Sequence, residues 1–156
     1  MDRNELIHKT IQLAIENVKS GGGGPFAALV VNKGEIIATG VNQVTASLDP
    51  TAHAEVVAIR AACRAVSHFE LTGCEIYCSC EPCPMCLGAI YWSRPAHVFF
   101  AATAGAAADA GFDDSFIKEQ VRLPFPQQEL SIEQLVHTKA LAPFEAWKAK
   151  ADKIVY

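Results

Sequence analysis

The sequence predicts a three-layer α/β/α fold, with a central mixed sheet of five strands and helices on both faces. Two observations lead to this prediction. Short apolar runs bounded by turn residues have the length of buried strands, and after an initial hairpin they alternate with segments of helical period. The 156 residues, of which 51% are hydrophobic and 19% charged, are enough for one substantial core. We therefore expect a single domain over residues 1–156.

Helical periodicity begins the chain. Apolar residues recur at three- and four-residue spacing between Ile7 and Val18. Asp2 is followed three residues later by Glu5, which is the spacing of a capping box. These features predict a helix over residues 3–20.

Four consecutive glycines at 21–24 separate this helix from the first strand. A phosphate-binding loop follows a strand and precedes a helix, whereas this run has the reverse order, so a flexible connector is the better interpretation. The apolar run 26–31 has the length of a buried strand. The turn Asn-Lys-Gly at 32–34 then leads into segment 35–42, which predicts an antiparallel hairpin.

Strands and helices alternate in the rest of the chain. Pro84 stands at the first position of a predicted helix, where its missing N–H is tolerated. The segment Leu-Pro-Phe-Pro at 123–126 interrupts the pattern before the C-terminal part. Further strands are expected at 75–79, 97–102 and 132–137, and further helices at 52–66, 84–93, 114–122 and 143–153.

Three metal-binding side chains and one carboxylate form the most informative motif. His53-x-Glu55 and Cys83-x-x-Cys86 each begin a predicted helix. The two cysteines lie ~60° apart around a helix, and the positive end of the helix dipole favours their thiolates. One imidazole and two thiolates leave the fourth position of a tetrahedral Zn²⁺ open for water, whereas a structural site closes all four positions.

Glu55 is the candidate proton carrier of this site. It lies ~200° from His53 around a regular helix, so both side chains cannot point sideways at one ion. At the first turn, however, His53 can occupy the helix entry while Glu55 leans back towards the N-terminus. The carboxylate would then lie beside the open position of the metal without being a ligand.

Other uses of the six cysteines are weighed against this interpretation. A structural zinc site could recruit Cys80, and the spacing of Cys80, Cys83 and Cys86 also occurs in iron–sulfur proteins. Both alternatives leave Glu55 without a role. Disulfides are disfavoured in a reducing compartment, so the remaining thiols are expected in the core: Cys63, Cys74 and Cys78.

Charge and hydropathy restrict the class of partner. A net charge of −4 and a pI near 5.7 argue against a broad phosphate-binding surface, so nucleic acid is an unfavoured partner. Charged residues interrupt every long hydrophobic segment, so no membrane span is expected. The first residues lack the layout of a secretory signal, which predicts a cytoplasmic protein.

The combination of His-x-Glu with Pro-Cys-x-x-Cys resembles the zinc-dependent nucleobase deaminases. The resemblance extends through residues 24–28, Asn42, residues 49–55 and residues 79–90. It implies a cytidine-deaminase-like fold for the whole chain.

The resemblance also implies the roles of the motif residues. His53, Cys83 and Cys86 would bind one Zn²⁺ per subunit together with a catalytic water. Glu55 would be the catalytic residue, taking a proton from water and delivering protons to the ring and to the departing amine.

The C-terminal third indicates the substrate, a small-molecule purine base. The motif at 49–55 occurs both in bacterial guanine deaminases and in tRNA adenosine deaminases, whereas segments 111–116 and 142–147 and the terminal Tyr156 resemble the guanine deaminases. A tRNA enzyme would also be expected to carry a basic tail. The implied reaction is guanine to xanthine and ammonia. The alternatives are another nucleobase or tRNA adenosine deaminase and, from a different class, a structural zinc-binding module.

In guanine deaminases, residues that match Phe26, Asn42, Asp114 and Tyr156 surround the base. Phe26 would stack on it, Asn42 would donate and accept, Asp114 would accept from ring N–H groups, and Tyr156 would bond an edge. Asp114 could equally be a helix cap. Ala27 stands where relatives commonly have glycine, and its methyl group could narrow the site or have no effect on it.

The resemblance further implies a homodimer that exchanges a C-terminal segment of about residues 127–156. Tyr156 would then complete the pocket of the partner subunit, and residues 123–126 would form a stiff hinge. Docking of the segment onto its own chain is the alternative.

Overall fold

The computed structural model describes all residues, 1–156, and divides into two compact units at residues 118 and 119. The larger unit, residues 1–118, contains the sheet and the metal-binding motif. The smaller unit, residues 119–156, contains the C-terminal helix.

A mixed sheet of four strands forms the centre of the larger unit. In chain order the strands are β1 (Ala27–Asn32), β2 (Glu35–Val41), β3 (Cys74–Cys80) and β4 (His97–Ala102). β1 pairs antiparallel with β2 and with β3, and β3 pairs parallel with β4. The predicted mixed sheet and its hairpin are confirmed, and Lys33 and Gly34 both have positive φ in the hairpin turn.

The predicted fifth strand at 132–137 is wrong. This segment has no regular secondary structure, and Leu135 and Val136 are 86% and 92% exposed. A strand forms only where its N–H and C=O groups pair with a neighbouring chain, and no segment pairs with this one. Apolar content alone was therefore an insufficient reason to expect a strand.

The helices of the larger unit include the three long ones that the sequence predicted. The capping box is present, since Glu5 N donates to Asp2 Oδ1 at 2.8 Å and Asp2 N donates to Glu5 Oε2 at 2.7 Å. No helix of the structure is both long and apolar enough to cross a membrane. The helices are α1 (Arg3–Lys19), α2 (Val44–Ser47), α3 (Ala54–Val66), α4 (Pro84–Ser93), α5 (Ala104–Asp109) and α6 (Ser115–Gln120), of which the last crosses into the smaller unit.

Helices cover both faces of the sheet, as predicted. Along β1, Ala28 and Val30 join a core cluster with α3 and α4. The alternate residues Leu29 and Val31 pack on the other face with Leu6 of α1. The result is a three-layer arrangement in which α3 and α4 lie on the same face.

Gly40 of β2 permits an unusually close approach of α3 to the sheet. A Cβ at this position would lie 2.2 Å from the carbonyl oxygen of Ala54 and 2.5 Å from the backbone nitrogen of Ala58. The backbones of β2 and α3 are therefore in direct contact. This contact fixes the first turn of α3, which carries Glu55.

The smaller unit contains a 3₁₀ turn, Phe125–Gln127, and one helix, α7 (Ala142–Ala149). This helix is shorter than the predicted 143–153, because the backbone becomes extended at Lys150. Many apolar side chains of this unit are exposed: Leu130, Leu135, Val136, Leu141, Phe144, Ile154 and Val155.

Candidate active site

The three predicted metal ligands converge where two helices begin. His53 is the N-cap residue of α3, Cys83 is the N-cap residue of α4, and Cys86 lies in the first turn of α4. The Nδ1 atom of His53 is 3.5 Å from the Sγ atoms of both Cys83 and Cys86. All candidate ligand atoms lie within 4.8 Å of one another.

This spacing fits a zinc ion. Zn–N bonds of about 2.0–2.1 Å and Zn–S bonds of about 2.3 Å at tetrahedral angles place nitrogen and sulfur ligands about 3.6 Å apart. The observed separation of 3.5 Å agrees with that value. Cys80 does not join the group, because its Sγ donates to the carbonyl oxygen of Thr103 at 3.5 Å. Three protein ligands leave one coordination position for another molecule.

All six cysteines are free. Those outside the metal-binding group lie in or beside the hydrophobic core or, for Cys80, beside the pocket. Cys74 and Cys78 are buried in the cluster between the sheet and α3, and Cys63 packs at its edge.

The two ligand thiols influence each other's ionisation. A hydrogen bond from Cys86, with a smaller contribution from His53, lowers the pKa of Cys83 to about 4. The hydrogen bond to Cys83, followed by burial, raises the pKa of Cys86. A divalent cation between the two sulfurs stabilises both thiolates, so metal binding is expected to displace the proton of Cys86.

Glu55 occupies the second position of α3 and is almost fully buried, with 8% of its surface exposed. Burial raises the pKa of its carboxyl group above the ordinary value for glutamate. It faces the same pocket as His53 and Cys83 but does not belong to the metal-binding group. This position fits the predicted role of a proton carrier beside the metal.

A pocket of about 270 Å³ lies over the metal-binding group. It is smaller than the ~300–1,000 Å³ of sites for drug-sized ligands, which suits a single small heterocycle. The predicted site residues line this pocket, with two exceptions. Cys86 is fully buried beneath the surface, and Tyr156 is not part of the lining. Tyr156 belongs to the smaller unit, where 68% of its surface is exposed, so its substrate role stays a prediction. The lining comprises Phe26, Asn42, His53, Glu55, Cys80, Glu81, Cys83, Ala104, Ala107, Gly111, Phe112, Asp113, Asp114 and Ile117.

The side chain of Asn42 is oriented by hydrogen bonds to its amide oxygen. Its Oδ1 accepts from the backbone nitrogens of Gly24 at 3.4 Å and Val44 at 3.3 Å. The Nδ2 group is therefore the part of the side chain that remains to meet a ligand, and it can only donate. The sequence had suggested that Asn42 both donates and accepts.

Asn17 of α1 holds the backbone next to Asn42, and we did not predict this role. Its Nδ2 donates to the carbonyl oxygens of Gly24 at 2.9 Å and Asn42 at 3.0 Å. A Cβ at Gly23 would lie only 2.3 Å from the same Asn42 oxygen. Within the glycine run, Gly22 and Gly23 therefore pack closely against Asn17 and Asn42, whereas a Cβ at Gly21 would meet nothing within 4 Å.

The position of Asn17 on its helix was the available sequence signal. The buried residues of α1 are Leu6, Thr10, Ala14 and Asn17, which share one face at helical spacing. A polar side chain at a buried position requires hydrogen-bond partners. An asparagine on the apolar face of α1 could thus have been identified as a structural contact.

Phe112 is a second pocket residue that we did not single out. Its ring packs edge-to-face against Phe26, with ring centroids 4.9 Å apart and an interplanar angle of 88°. This arrangement is a favourable one for aromatic pairs and fixes the ring of Phe26 in the pocket wall. The resemblance at 111–116 was the only sequence signal for Phe112.

The carboxylate of Asp114 is not a helix cap. The backbone oxygen of Asp114 accepts from Lys118 N at 3.0 Å and so begins α6. The capping carboxylate belongs to Asp113, whose Oδ1 accepts from Ser115 N at 2.9 Å. The Asp114 side chain instead forms an ion pair, with Oδ1 3.2 Å from Lys118 Nζ.

The methyl group of Ala27 does not narrow the pocket. Ala27 alternates with Leu29 and Val31 along β1 and therefore lies on the α1 face of the sheet. It is buried, and its backbone nitrogen donates to Ser79 Oγ at 3.0 Å. The pocket lies on the opposite side, with Phe26.

Comparison with known proteins agrees with the geometry of the site. The cytidine and deoxycytidylate deaminase zinc-binding region matches residues 1–102. The chain therefore belongs to this family of zinc-binding deaminases, and the matched region together with the donor set identifies Zn²⁺ as its cofactor. Within the family, it is 50% identical to the guanine deaminase of Bacillus subtilis over 156 residues, which is 100% of both chains.

The chain is also similar to solved guanine deaminase structures and, over part of its length, to tRNA-specific adenosine deaminases. The crystal structure of the Bacillus subtilis guanine deaminase covers 100% of this chain with a TM-score of 0.98. That of the guanine deaminase from Nitrosomonas europaea covers 72% of this chain and 65% of its own, with 32% identity and a TM-score of 0.69. The tRNA-specific adenosine deaminase of Aquifex aeolicus is 47% identical over 81 residues, 52% of this chain and 54% of its own.

Proposed function

We propose that the protein hydrolyses guanine to xanthine and ammonia. The similarity to the Bacillus subtilis guanine deaminase supports this proposal, because it covers the entire chain and includes the C-terminal third. The match to the tRNA-specific enzyme covers about half of the chain. A pocket that carries both hydrogen-bond donors and acceptors over a zinc site supports the same substrate class.

The side chains of the pocket divide the chemical work. His53, Cys83 and Cys86 would hold the Zn²⁺ ion, which when bound would supply a water activated for attack near neutral pH. Glu55 would take a proton from that water and pass it to a ring nitrogen, and would then carry the proton of the newly added hydroxyl group to the departing amino group. A C–O bond forms at the ring carbon that carries the amino group, the C–N bond breaks, and ammonia leaves.

The other pocket residues recognise the base. The ring of Phe26, fixed by Phe112, offers a stacking surface. The Nδ2 group of Asn42 donates to an acceptor of the base, and the carboxylate of Asp114 accepts from its N–H groups. Guanine has both kinds of group on its edges, which complements this set.

A substrate panel tests the proposal. Ammonia release should be measured for guanine, adenine, cytosine, cytidine and tRNA with the zinc-loaded protein. We expect efficient turnover of guanine and slow or absent turnover of the others. Efficient turnover of another substrate with guanine inert would overturn the assignment, and inactivity on all would support the structural zinc module.

We also propose a homodimer in which a C-terminal segment of about residues 127–156 is exchanged. The supporting observation is the exposed apolar surface of the smaller unit, since monomeric proteins rarely expose contiguous apolar patches of large area. A second copy of this chain would cover it. Tyr156 would then serve the pocket of the partner subunit.

A further inference from the structure

Lys118 lies between two carboxylates that line the pocket. Its Nζ atom is 3.4 Å from Glu81 Oε1 and 3.2 Å from Asp114 Oδ1. Both carboxylates face the same pocket as Glu55, and no lysine or arginine lines that pocket. Four carboxylates line the pocket, and the single positive charge of Lys118 lies against two of them, Glu81 and Asp114.

Glu81 is a fixed anchor for this cation. Its Oε2 accepts from the backbone nitrogen of Ala104, the first residue of α5, at 3.1 Å. Its own backbone nitrogen donates to the carbonyl oxygen of Ala102, at the end of β4, at 2.9 Å. Glu81 is thus held by two elements that do not depend on Lys118.

Asp114, by contrast, is held through Lys118. It follows the irregular segment between α5 and α6, and the neighbouring Asp113 performs the capping at Ser115. The contact with Lys118 engages Oδ1, which leaves Oδ2 to accept from a ligand. The direction of the accepting oxygen therefore depends on where Lys118 is anchored.

We infer that Lys118 is a positioning residue for substrate recognition, which bridges Asp114 to Glu81 and so fixes the carboxylate that receives the N–H groups of the base. This inference rests on the proposed function, because it takes Asp114 to contact the purine. Without the bridge, Asp114 would retain its charge but lose its fixed orientation. Misplaced hydrogen-bonding groups weaken recognition even when the chemistry is intact.

Substitution of Lys118 tests the inference in the zinc-loaded full-length protein. We expect Lys118→Met to raise KM for guanine on the order of tenfold, about 1.4 kcal/mol, with a smaller change in kcat. Lys118→Arg should restore KM to near the wild-type value, because a guanidinium group can also contact two carboxylates. Lys9→Met is the matched control, since Lys9 is exposed on α1 and makes no ion pair.

Glu81→Gln removes the same bridge from its other end, because it weakens the contact that anchors Lys118. It should raise KM in the same direction, and the Lys118→Met, Glu81→Gln double variant should be no worse than Lys118→Met alone, because both changes remove one bridge. Zinc content and thermal unfolding are measured for every variant. A lower melting temperature with unchanged KM would assign Lys118 a structural role only and overturn the inference.

The outcomes separate this inference from the proposed function. A wild-type protein that does not deaminate guanine contradicts the proposed function. An active wild type in which Lys118→Met matches Lys9→Met, or in which the two KM effects simply add, contradicts the positioning role alone.

Discussion

The active side chains of the pocket owe their orientation to neighbours that take no part in the chemistry. Backbone nitrogens of Gly24 and Val44 direct the amide of Asn42, and the ammonium group of Lys118 holds Oδ1 of Asp114. Glu55 is directed by its place in the first turn of α3. Such preorganisation removes part of the entropic cost of aligning the substrate.

At Glu55, removal of the negative charge should separate catalysis from metal binding. We expect Glu55→Gln to retain zinc and fold but to lose turnover by at least the ~10² typical of an acid–base residue. Ammonia release and metal analysis measure the two properties. Glu16→Gln on the exposed face of α1 is the control, and unchanged activity of Glu55→Gln would refute the catalytic role.

The buried thiol of Cys78 should make the protein less stable at alkaline pH. Burial raises the pKa of Cys78, so the folded chain keeps a proton that the unfolded chain loses above about pH 8.5. The stability that this group contributes is present below that pH and declines above it, by up to ~1.4 kcal/mol per pH unit.

Denaturant unfolding between about pH 7.5 and 10 measures this decline, a range that spans the ordinary pKa of a free thiol. We expect Cys78→Ala to flatten the alkaline slope and Cys63→Ala, at a partly exposed position, to change it less. Parallel slopes in the wild type and Cys78→Ala would contradict the assignment.

At the level of elements, local sequence patterns predicted those parts of the fold that depend on local interactions. The helices that begin at His53 and Cys83 and the hairpin turn at 32–34 are confirmed. The short helices α2 and α5 were not predicted, because 4 and 6 residues are too few to show a helical period.

The contacts that were missed join distant parts of the sequence. The packing of Gly23 depends on Asn42, and the role of Asn17 depends on the same carbonyl oxygen. Neither partner is visible in a local pattern. The metal ligands, in contrast, were predictable because residue type and spacing specify their chemistry.

The contact between β2 and α3 predicts the effect of a single methyl group. Gly40→Ala would place a Cβ 2.2 Å from the backbone oxygen of Ala54 and push the first turn of α3 away from the sheet. We expect a loss of stability of at least about 1–3 kcal/mol and weaker zinc retention.

Thermal unfolding and zinc analysis of Gly40→Ala check this expectation. Gly105→Ala is the matched control, because its Cβ would meet its nearest neighbour at 3.7 Å, an ordinary contact distance. Equal melting temperatures and equal zinc contents in the two variants would show that α3 can shift away from the sheet without loss of stability.

At the scale of the whole molecule, the metal-binding group and its pocket belong entirely to residues 1–118. The smaller unit has a high proportion of exposed apolar side chains and a single helix of 8 residues. Such a unit gains stability mainly by covering its apolar surface. We therefore expect the smaller unit to contribute to activity only through the proposed association of two chains.

Removal of Tyr156 tests that contribution. If the tail completes the pocket of the partner subunit, deletion of this residue should lower activity while the protein remains folded and dimeric. Mixed dimers of the deletion variant with Glu55→Gln should recover activity, since one pocket then has both an intact Glu55 and an intact tail. No recovery in verified mixed dimers would indicate that Tyr156 serves its own chain or no pocket.

The residues that begin α3 and α4 carry a further implication for how such sites are found. His53 and Cys83 occupy N-cap positions but neither side chain forms a capping hydrogen bond. Serine, threonine, aspartate or asparagine at these positions would typically stabilise each helix by about 1 kcal/mol. Both helices therefore lack the stabilisation of a side-chain cap, because their N-cap residues are metal ligands instead. Paired helices with poor caps, converging at one point, are therefore a mark of function that can be recognised without any motif.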